Sequence, residues 1–246
     1  MASVVLDSVT VRRDGRTLID AVSFGVAQGE CLAVVGPSGS GKSTLLRAIA
    51  GLDELASGDV LFDGRVVTGA KPRERDVAMV FQDSVLMPFR SVRRNVSFPL
   101  EVHDVDKEEI DMRVSAESRA MTIEGLLDRM PATLAAGHQQ LAQAARALVR
   151  RPAVLLVDEP LARVDAKLRV DIRHELQELG RGYGVTTLWA TNDPKEAFAV
   201  GDRIAVLDRG GVRQVASTED LFQLPTDLFV ADFVSSPALS VICLLY

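Results

Sequence analysis

The stretch GPSGSGKST at positions 36–44 decides how the rest of the chain is read. It has the spacing GxxxxGK[ST], with Gly36, Gly41, Lys42 and Ser43 at the defining positions. Glycines let successive backbone N–H groups turn inward around phosphate oxygens, and a helix starting behind them adds its partial positive charge. Lys42 then reaches the β- and γ-phosphates, and the Ser43 hydroxyl can ligate Mg²⁺. A plain serine-glycine turn is the other reading. Average composition gives this pattern by chance in roughly one chain in a hundred of this length, so the phosphate-binding reading leads. Pro37, Ser38, Gly39, Ser40 and Thr44 fill out the same nucleotide-binding loop.

The flanks agree with it. CLAVV (31–35) reads as a buried strand running into the loop, and TLLRAIA (44–50) as a helix closed by Gly51. Further along, VLLVDEP (154–160) sets two carboxylates, Asp158 and Glu159, at the end of a second buried strand. A lone DEP would be a polar strand end before a proline turn. Beside a phosphate loop, Asp158 is placed to hold Mg²⁺, usually through water, and Glu159 to polarise the water that attacks a γ-phosphate. Gln82, which ends DVAMVFQ (76–82), is either a solvated strand end or an amide able to reach the metal or that water.

Around these motifs the periodicities change in order. Residues 4–26 alternate apolar and polar types about RRDGR, as antiparallel strands with one wet face do. Between about 84 and 150 helical signals dominate, which reads as a helical insertion. There Asp106 and Glu109 resemble a capping box, and Ile110, Val114 and Met121 fall on one helical face. AVLLVD (153–158) and VTTLWAT (185–191) alternate with the helix AKLRVDIRHELQELG (166–180), and this order implies a parallel sheet flanked by helices. IAVLDRGGVRQVA (204–216) reads as a hairpin turning at Arg209-Gly210-Gly211. The fold class is therefore α/β: a mainly parallel core with an N-terminal antiparallel β part and an inserted helical part.

Composition narrows the function classes. The 246 residues are 47% hydrophobic and 25% charged, the balance of a folded globular chain with room for one large domain. A formal charge of −6 argues against broad electrostatic binding, so no nucleic-acid partner is expected. Cys31 and Cys243 lie far apart with no CxxC spacing, which fits a reducing compartment better than a disulfide framework or a zinc site. The longest apolar stretch, ALSVICLLY (238–246), falls well short of the roughly 20 residues a membrane-spanning helix needs. The chain reads as soluble, docked at most onto a membrane protein.

Taken together, GPSGSGKST, VFQD, VLLVDEPLARVD and TNDPKEA, in this order and at these separations, resemble the ATP-binding cassette (ABC) transporter ATPases. The resemblance runs from about Val4 to Pro237. FRSVRRNVSFPL, DEPLARVDAKLR, GDRIAVLDRG and DLFVADFVSSPA place it nearest the ATPase subunits of carbohydrate and related solute importers. It implies an ATP-binding cassette domain over residues 1–236, built on a P-loop NTPase core with its helical insertion at about 84–150, and 237–246 a short tail where a C-terminal regulatory domain would begin. It also implies a head-to-tail dimer, with itself or with a related ATPase subunit, at the cytoplasmic face of the cell membrane beside transmembrane permease subunits. Each ATP, with Mg²⁺, would be held by one subunit's phosphate loop and by the other's signature segment, usually LSGGQ. The resemblance maps the glutamine switch onto Gln82, the metal-binding acid onto Asp158, the catalytic glutamate onto Glu159 and the interface aspartate onto Asp165.

The departures fall on contact positions. LAAGH (134–138) stands at the signature, with Ala135 for serine, Ala136 for the first glycine and His138 for glutamine, while Gly137 matches. Losing the serine hydroxyl removes a bond to a charged phosphate, a loss on the order of 1.5–3 kcal/mol. His138 is either a solvated helix-start histidine or a cation in the helix field. Asn192 stands at the switch-histidine position; its amide can donate a hydrogen bond but cannot exchange a proton near neutral pH. Arg13 stands where an aromatic residue stacks on adenine, either stacking by its guanidinium or simply exposed. The expectation is an ATP-binding subunit that couples hydrolysis to solute import with weak intrinsic turnover, or else a pseudo-ATPase that binds nucleotide without useful hydrolysis.

Overall fold

The computed structural model describes residues 2–161, 164 and 166–235. Three of its hairpin turns are of one kind. β1 (Val4–Arg13) and β2 (Arg16–Val26) meet at Asp14-Gly15, and β4 (Ser57–Phe62) and β5 (Arg65–Val66) at Asp63-Gly64. β9 (Arg203–Asp208) and β10 (Gly211–Ser217) meet at Arg209-Gly210. All six turn residues have positive φ, between 48° and 80°, the type I′ geometry whose twist matches that of paired strands. The first four of these strands form an antiparallel sheet in the order β2-β1-β4-β5.

The second sheet is six-stranded. β3 (Cys31–Val35), β6 (Val77–Val80), β7 (Val154–Asp158) and β8 (Thr186–Thr191) join the β9–β10 hairpin in the order β10-β9-β3-β8-β7-β6. Every neighbouring pair is parallel except β9–β10. Alternate residues of the central strands enter two separate cores: Ala33, Val35, Leu155, Val157 and Trp189 on one face, Leu32, Val34, Leu156, Leu188 and Ala190 on the other. Burial on both faces is why CLAVV and VLLV are continuous apolar runs rather than alternating ones.

α1 (Lys42–Ala50) fills the space between the two sheets, with Leu45, Leu46 and Ile49 fully buried against residues of both. Its C-terminal carbonyls are met by a buried guanidinium. Arg75 donates to the carbonyls of Ala48 (3.1 Å) and Ile49 (2.9 Å), and to those of Thr68 (2.8 Å) and Ala70 (3.0 Å). Burial lowers its pKa, and the carbonyl shell with the negative end of the α1 dipole takes the place of a carboxylate partner.

Between β6 and β7 the chain forms α2 (Val92–Glu101), α3 (Lys107–Ala120) and α4 (Ala136–Leu148), which pack on one another and on α5 (Ala166–Gly182). Val114 and Met121 are buried and Ile110 packs beside them. The expected capping box at the head of α3 does not form. Asp106 accepts from the Glu108 N–H at 2.9 Å, while Glu109 turns along the helix to Arg113. An Arg four residues on offers the carboxylate a cation, which outcompetes a backbone N–H that water can reach. α6 (Pro194–Val200) follows β8, and α7 (Thr218–Gln223) and α8 (Leu228–Val234) follow the β9–β10 hairpin. Among the described residues no helix is long and apolar enough to cross a membrane.

Candidate active site

Packing fixes the phosphate loop as much as ligand chemistry does. A Cβ on Gly36 would lie 2.0 Å from the Leu207 carbonyl oxygen of β9. One on Gly41, where φ is +108°, would lie 2.7 Å from Ile19 Cδ1 of β2. The β9–β10 turn pins the loop from the side: Gly210 donates its N–H to the Ser40 carbonyl at 2.9 Å and accepts from the Asp20 N–H at 2.9 Å. The Ser40 hydroxyl is buried with no partner among the described residues. Gly36 is thus required by close backbone approach, and Gly41 by its positive φ, before any phosphate arrives.

Lys42 points back into its own loop. Its side chain is 3% exposed, and Nζ donates to the Gly36 carbonyl (2.9 Å) and the Pro37 carbonyl (3.1 Å), with Glu159 Oε1 at 3.4 Å. Beside it the Ser43 hydroxyl donates to Asp158 Oδ1 at 2.8 Å, joining the first turn of α1 to the end of β7. Burial is the main cause that raises the Asp158 carboxyl above the usual carboxylate range, with the Ser43 hydrogen bond opposing it.

Glu159 occupies the left-handed region, φ +42°, which costs a non-glycine residue about 1–2 kcal/mol. Its N–H donates to the Ala190 carbonyl at 2.9 Å, so the ends of β7 and β8 are held level. The residue after β8 is Asn192, whose Nδ2 donates to Glu159 Oε2 at 3.4 Å. A buried network braces that turn from below. Glu196 accepts from Trp189 Nε1 at 3.0 Å and from Thr191 Oγ1 at 2.7 Å, and Thr191 Oγ1 in turn accepts from the Asp193 N–H at 3.1 Å.

These groups surround an open cleft of about 370 Å³ lined by Leu18, Ser38, Gly39, Gly41, Lys42, Ser43, Thr44, Gln82 and Glu159. The volume suits a nucleotide's phosphates and sugar. Asp158 and Asn192 attach to the cleft through Ser43 and Glu159. Leu18 and Glu196 went unread in the sequence: a leucine on an alternating strand and a glutamate on a short helix carry no signal of their own.

Other named residues stand elsewhere. Arg13 does not line the cleft; its guanidinium pairs with Asp53 at 3.0 Å, and Arg47 grips the same carboxylate at 3.1 Å. Ala135 and Gly137 head α4, away from the cleft lining, with Ala135 and Ala136 exposed and no side-chain cap on the helix. Asp165 lies outside the described residues.

Residues 19–162 match the family model described as ABC transporter. The chain belongs to the ABC transporter ATPase family. The matched segment holds the phosphate loop, Gln82, Asp158 and Glu159. This ABC ATPase chain is 43% identical over 243 residues to the sn-glycerol-3-phosphate import ATP-binding protein UgpC of Rhizobium meliloti (strain 1021), covering 98% of this chain and 70% of that protein. It is 42% identical over 241 residues to the trehalose import ATP-binding protein SugC of Mycobacterium tuberculosis (strain ATCC 25618 / H37Rv), covering 98% of this chain and 61% of that one. Among solved structures it resembles the dimeric ATP-binding cassette MJ0796 in a post-hydrolysis state bound to ADP and Pi, with a TM-score of 0.79 and 29% identity over 87% of this chain and 98% of that one. It also resembles cbiO1 from Clostridium perfringens, part of the ABC transporter complex cbiONQ, with a TM-score of 0.82 and 27% identity over 90% of each chain.

Proposed function

We propose that this chain is the ATP-hydrolysing subunit of a carbohydrate-type solute importer, working as a dimer at the cytoplasmic face of the membrane against permease subunits. One observation carries the reading: Lys42, Ser43, Gln82 and Glu159 converge on a single cleft at the head of α1, with Asp158 and Asn192 bonded to two of them. The import relatives and the ADP-bound dimeric neighbour support the transport and dimer parts of it. Residues 1–236 act in it as one cassette with its helical segment inserted at about 84–150.

The chemistry follows from the groups present. Backbone N–H groups of the loop and the α1 dipole hold the phosphates, and Lys42 exchanges carbonyl partners for phosphate oxygens. The Glu159 carboxylate orients and polarises the attacking water, whose oxygen bonds to the γ-phosphorus as the bond to the β-phosphate oxygen breaks. Asn192 holds Glu159 through an amide hydrogen bond and, unlike histidine, takes no part in proton exchange. Hard oxygen donors 2.8 Å apart, Ser43 Oγ and Asp158 Oδ1, fit a magnesium ion, with the Gln82 amide at the cleft wall. Bound there, magnesium would neutralise charge on the phosphate oxygens.

Turnover in this reading is impaired. Ala135 offers no hydroxyl to the partner subunit's nucleotide, and losing one charge-assisted bond of about 1.5–3 kcal/mol slows the step roughly 10- to 150-fold. Phosphate release measured beside equilibrium ATP affinity tests this, for the chain alone, for Asn192→His, and for a mixed dimer with an intact relative. The expected result is Mg²⁺-dependent ATP binding with slow release that both changes speed up. Release at the intact rate by the chain alone overturns the impairment, and failure to bind ATP overturns the whole reading. The replacements at Ala135, Ala136 and Asn192 favour a second reading, a nucleotide-sensing pseudo-ATPase. Activity that appears only after Ala135→Ser, Ala136→Gly and Asn192→His together would select it.

A further inference from the structure

α4 grips the loop that carries Gln82. Its side chains at 140, 143 and 146, three residues apart on one helix face, bind the backbone of residues 81–85 at four points. Gln140 Nε2 donates to the Gln82 carbonyl and Gln143 Nε2 to the Phe81 carbonyl, each at 2.8 Å. Gln143 Oε1 accepts from the Val85 N–H at 2.8 Å, and Arg146 Nη1 donates to the Val85 carbonyl at 2.9 Å. Gln143 is the centre of this bracket. It is fully buried, and its second amide hydrogen goes to Gln140 Oε1 at 3.0 Å, so every polar atom it has is engaged.

A buried amide is costly unless fully bonded, and in LAQAARAL (141–148) its neighbours on the buried side are alanine and leucine. An apolar residue of similar length could fill the same volume. What it could not do is hold Phe81 and Val85 at once, and those two positions flank the residues that present Gln82 to the cleft. We propose that Gln143 is a positioning residue for the hydrolysis site: it fixes the backbone on both sides of Gln82 and so sets where the Gln82 amide stands in the cleft. The proposal rests on the ATPase reading above. The bracket also fastens this loop to the helix whose exposed head is Ala135-Ala136.

The test uses the full chain with Gln143→Met, which keeps length and apolar bulk, and Gln143→Glu. Amide hydrogen exchange, ATP affinity and steady-state phosphate release are measured for each. In Gln143→Met, Val85 exchange speeds by at least about tenfold and kcat falls about tenfold, the worth of one hydrogen bond, while KM for ATP stays within about twofold because Lys42 is untouched. Gln143→Glu recovers turnover relative to wild type at mildly acidic pH only, where the protonated acid can donate to Phe81 and accept from Val85. A side chain that merely supports the fold instead speeds exchange throughout the core, whereas here faster exchange is confined to residues 81–85. Faster Val85 exchange with unchanged kcat overturns the proposal, as does a parallel loss of ATP affinity. If wild type releases no phosphate, the ATPase reading fails separately. The exchange arm then decides: ATP must slow exchange across 82–85 in wild type and not in Gln143→Met, and equal slowing in both overturns the assignment.

Discussion

At the scale of single residues, the site stores strain in one place. Glu159 sits at φ +42° because its N–H is committed to Ala190 and its carboxylate lies between Lys42 and Asn192. Backbone strain persists where surrounding contacts over-determine it, and it clusters at functional sites. Glu159→Gly and Glu159→Ala remove the same carboxylate, but only glycine relaxes at positive φ. The glycine variant should therefore be more stable than the alanine one by about 1 kcal/mol in urea unfolding, with phosphate release lost in both. Equal stabilities would show that the left-handed backbone is unstrained. Cys31 offers a separate check on burial. Its thiol is pushed up to about 12, mainly by burial and then by Asp202, which leaves roughly a thousandth of a free cysteine's thiolate at pH 8. Alkylation of Cys31 in the folded chain should be slower than in urea by a similar factor.

Elements end where side chains or ligands satisfy their backbone groups, and two ends differ here. The head of α4 has Ala135 at the cap position and no side-chain bond to its free N–H groups. Ala135→Ser should stabilise the chain by about 0.5–1 kcal/mol even without nucleotide, because a serine oxygen accepts from the N–H two or three residues on. An unchanged urea midpoint would mean that water caps this exposed end equally well. The tail of α1 is the opposite case, closed by two hydrogen bonds from Arg75 to the Ala48 and Ile49 carbonyls, while two more tie the same guanidinium to Thr68 and Ala70. Arg75→Met leaves those carbonyls in a dry site and should cost about 2–4 kcal/mol. Nothing in RERDV (73–77) marks Arg75 apart from its arginine neighbours. By contrast, the Asp14-Gly15 and Asp63-Gly64 turns are legible because their conformational requirement is local.

Across the whole molecule, burial leaves three glutamates above the ordinary carboxyl range. Glu117, Glu175 and Glu196 are each raised chiefly by desolvation, opposed by hydrogen bonds from Tyr183 (2.6 Å), Thr122 (3.3 Å), and Thr191 and Trp189 respectively. The folded state thus holds these protons to higher pH than the unfolded chain does. Their contribution is fullest below the ordinary value of 4.5 and is lost as pH rises through the folded value. Glu117→Gln, which keeps an acceptor for Tyr183, should gain Tm relative to wild type as pH rises from about 4.5 toward 7. A gap that stays constant or narrows overturns the direction. Sequence alone determined the phosphate loop, the acidic strand end, the hairpins and the mainly parallel core, because each rests on residues a few positions apart. It also marked the replacements at Ala135, Ala136 and Asn192. Tertiary structure alone decided that Arg13 pairs with Asp53, that Leu18 opens on the cleft, that Glu196 braces the Asn192 turn and that Gln143 holds the Gln82 loop. Those roles belong to partners tens of residues apart or to a buried geometry, and a side chain's neighbours in space are set by packing the two sheets around α1, which no local pattern encodes.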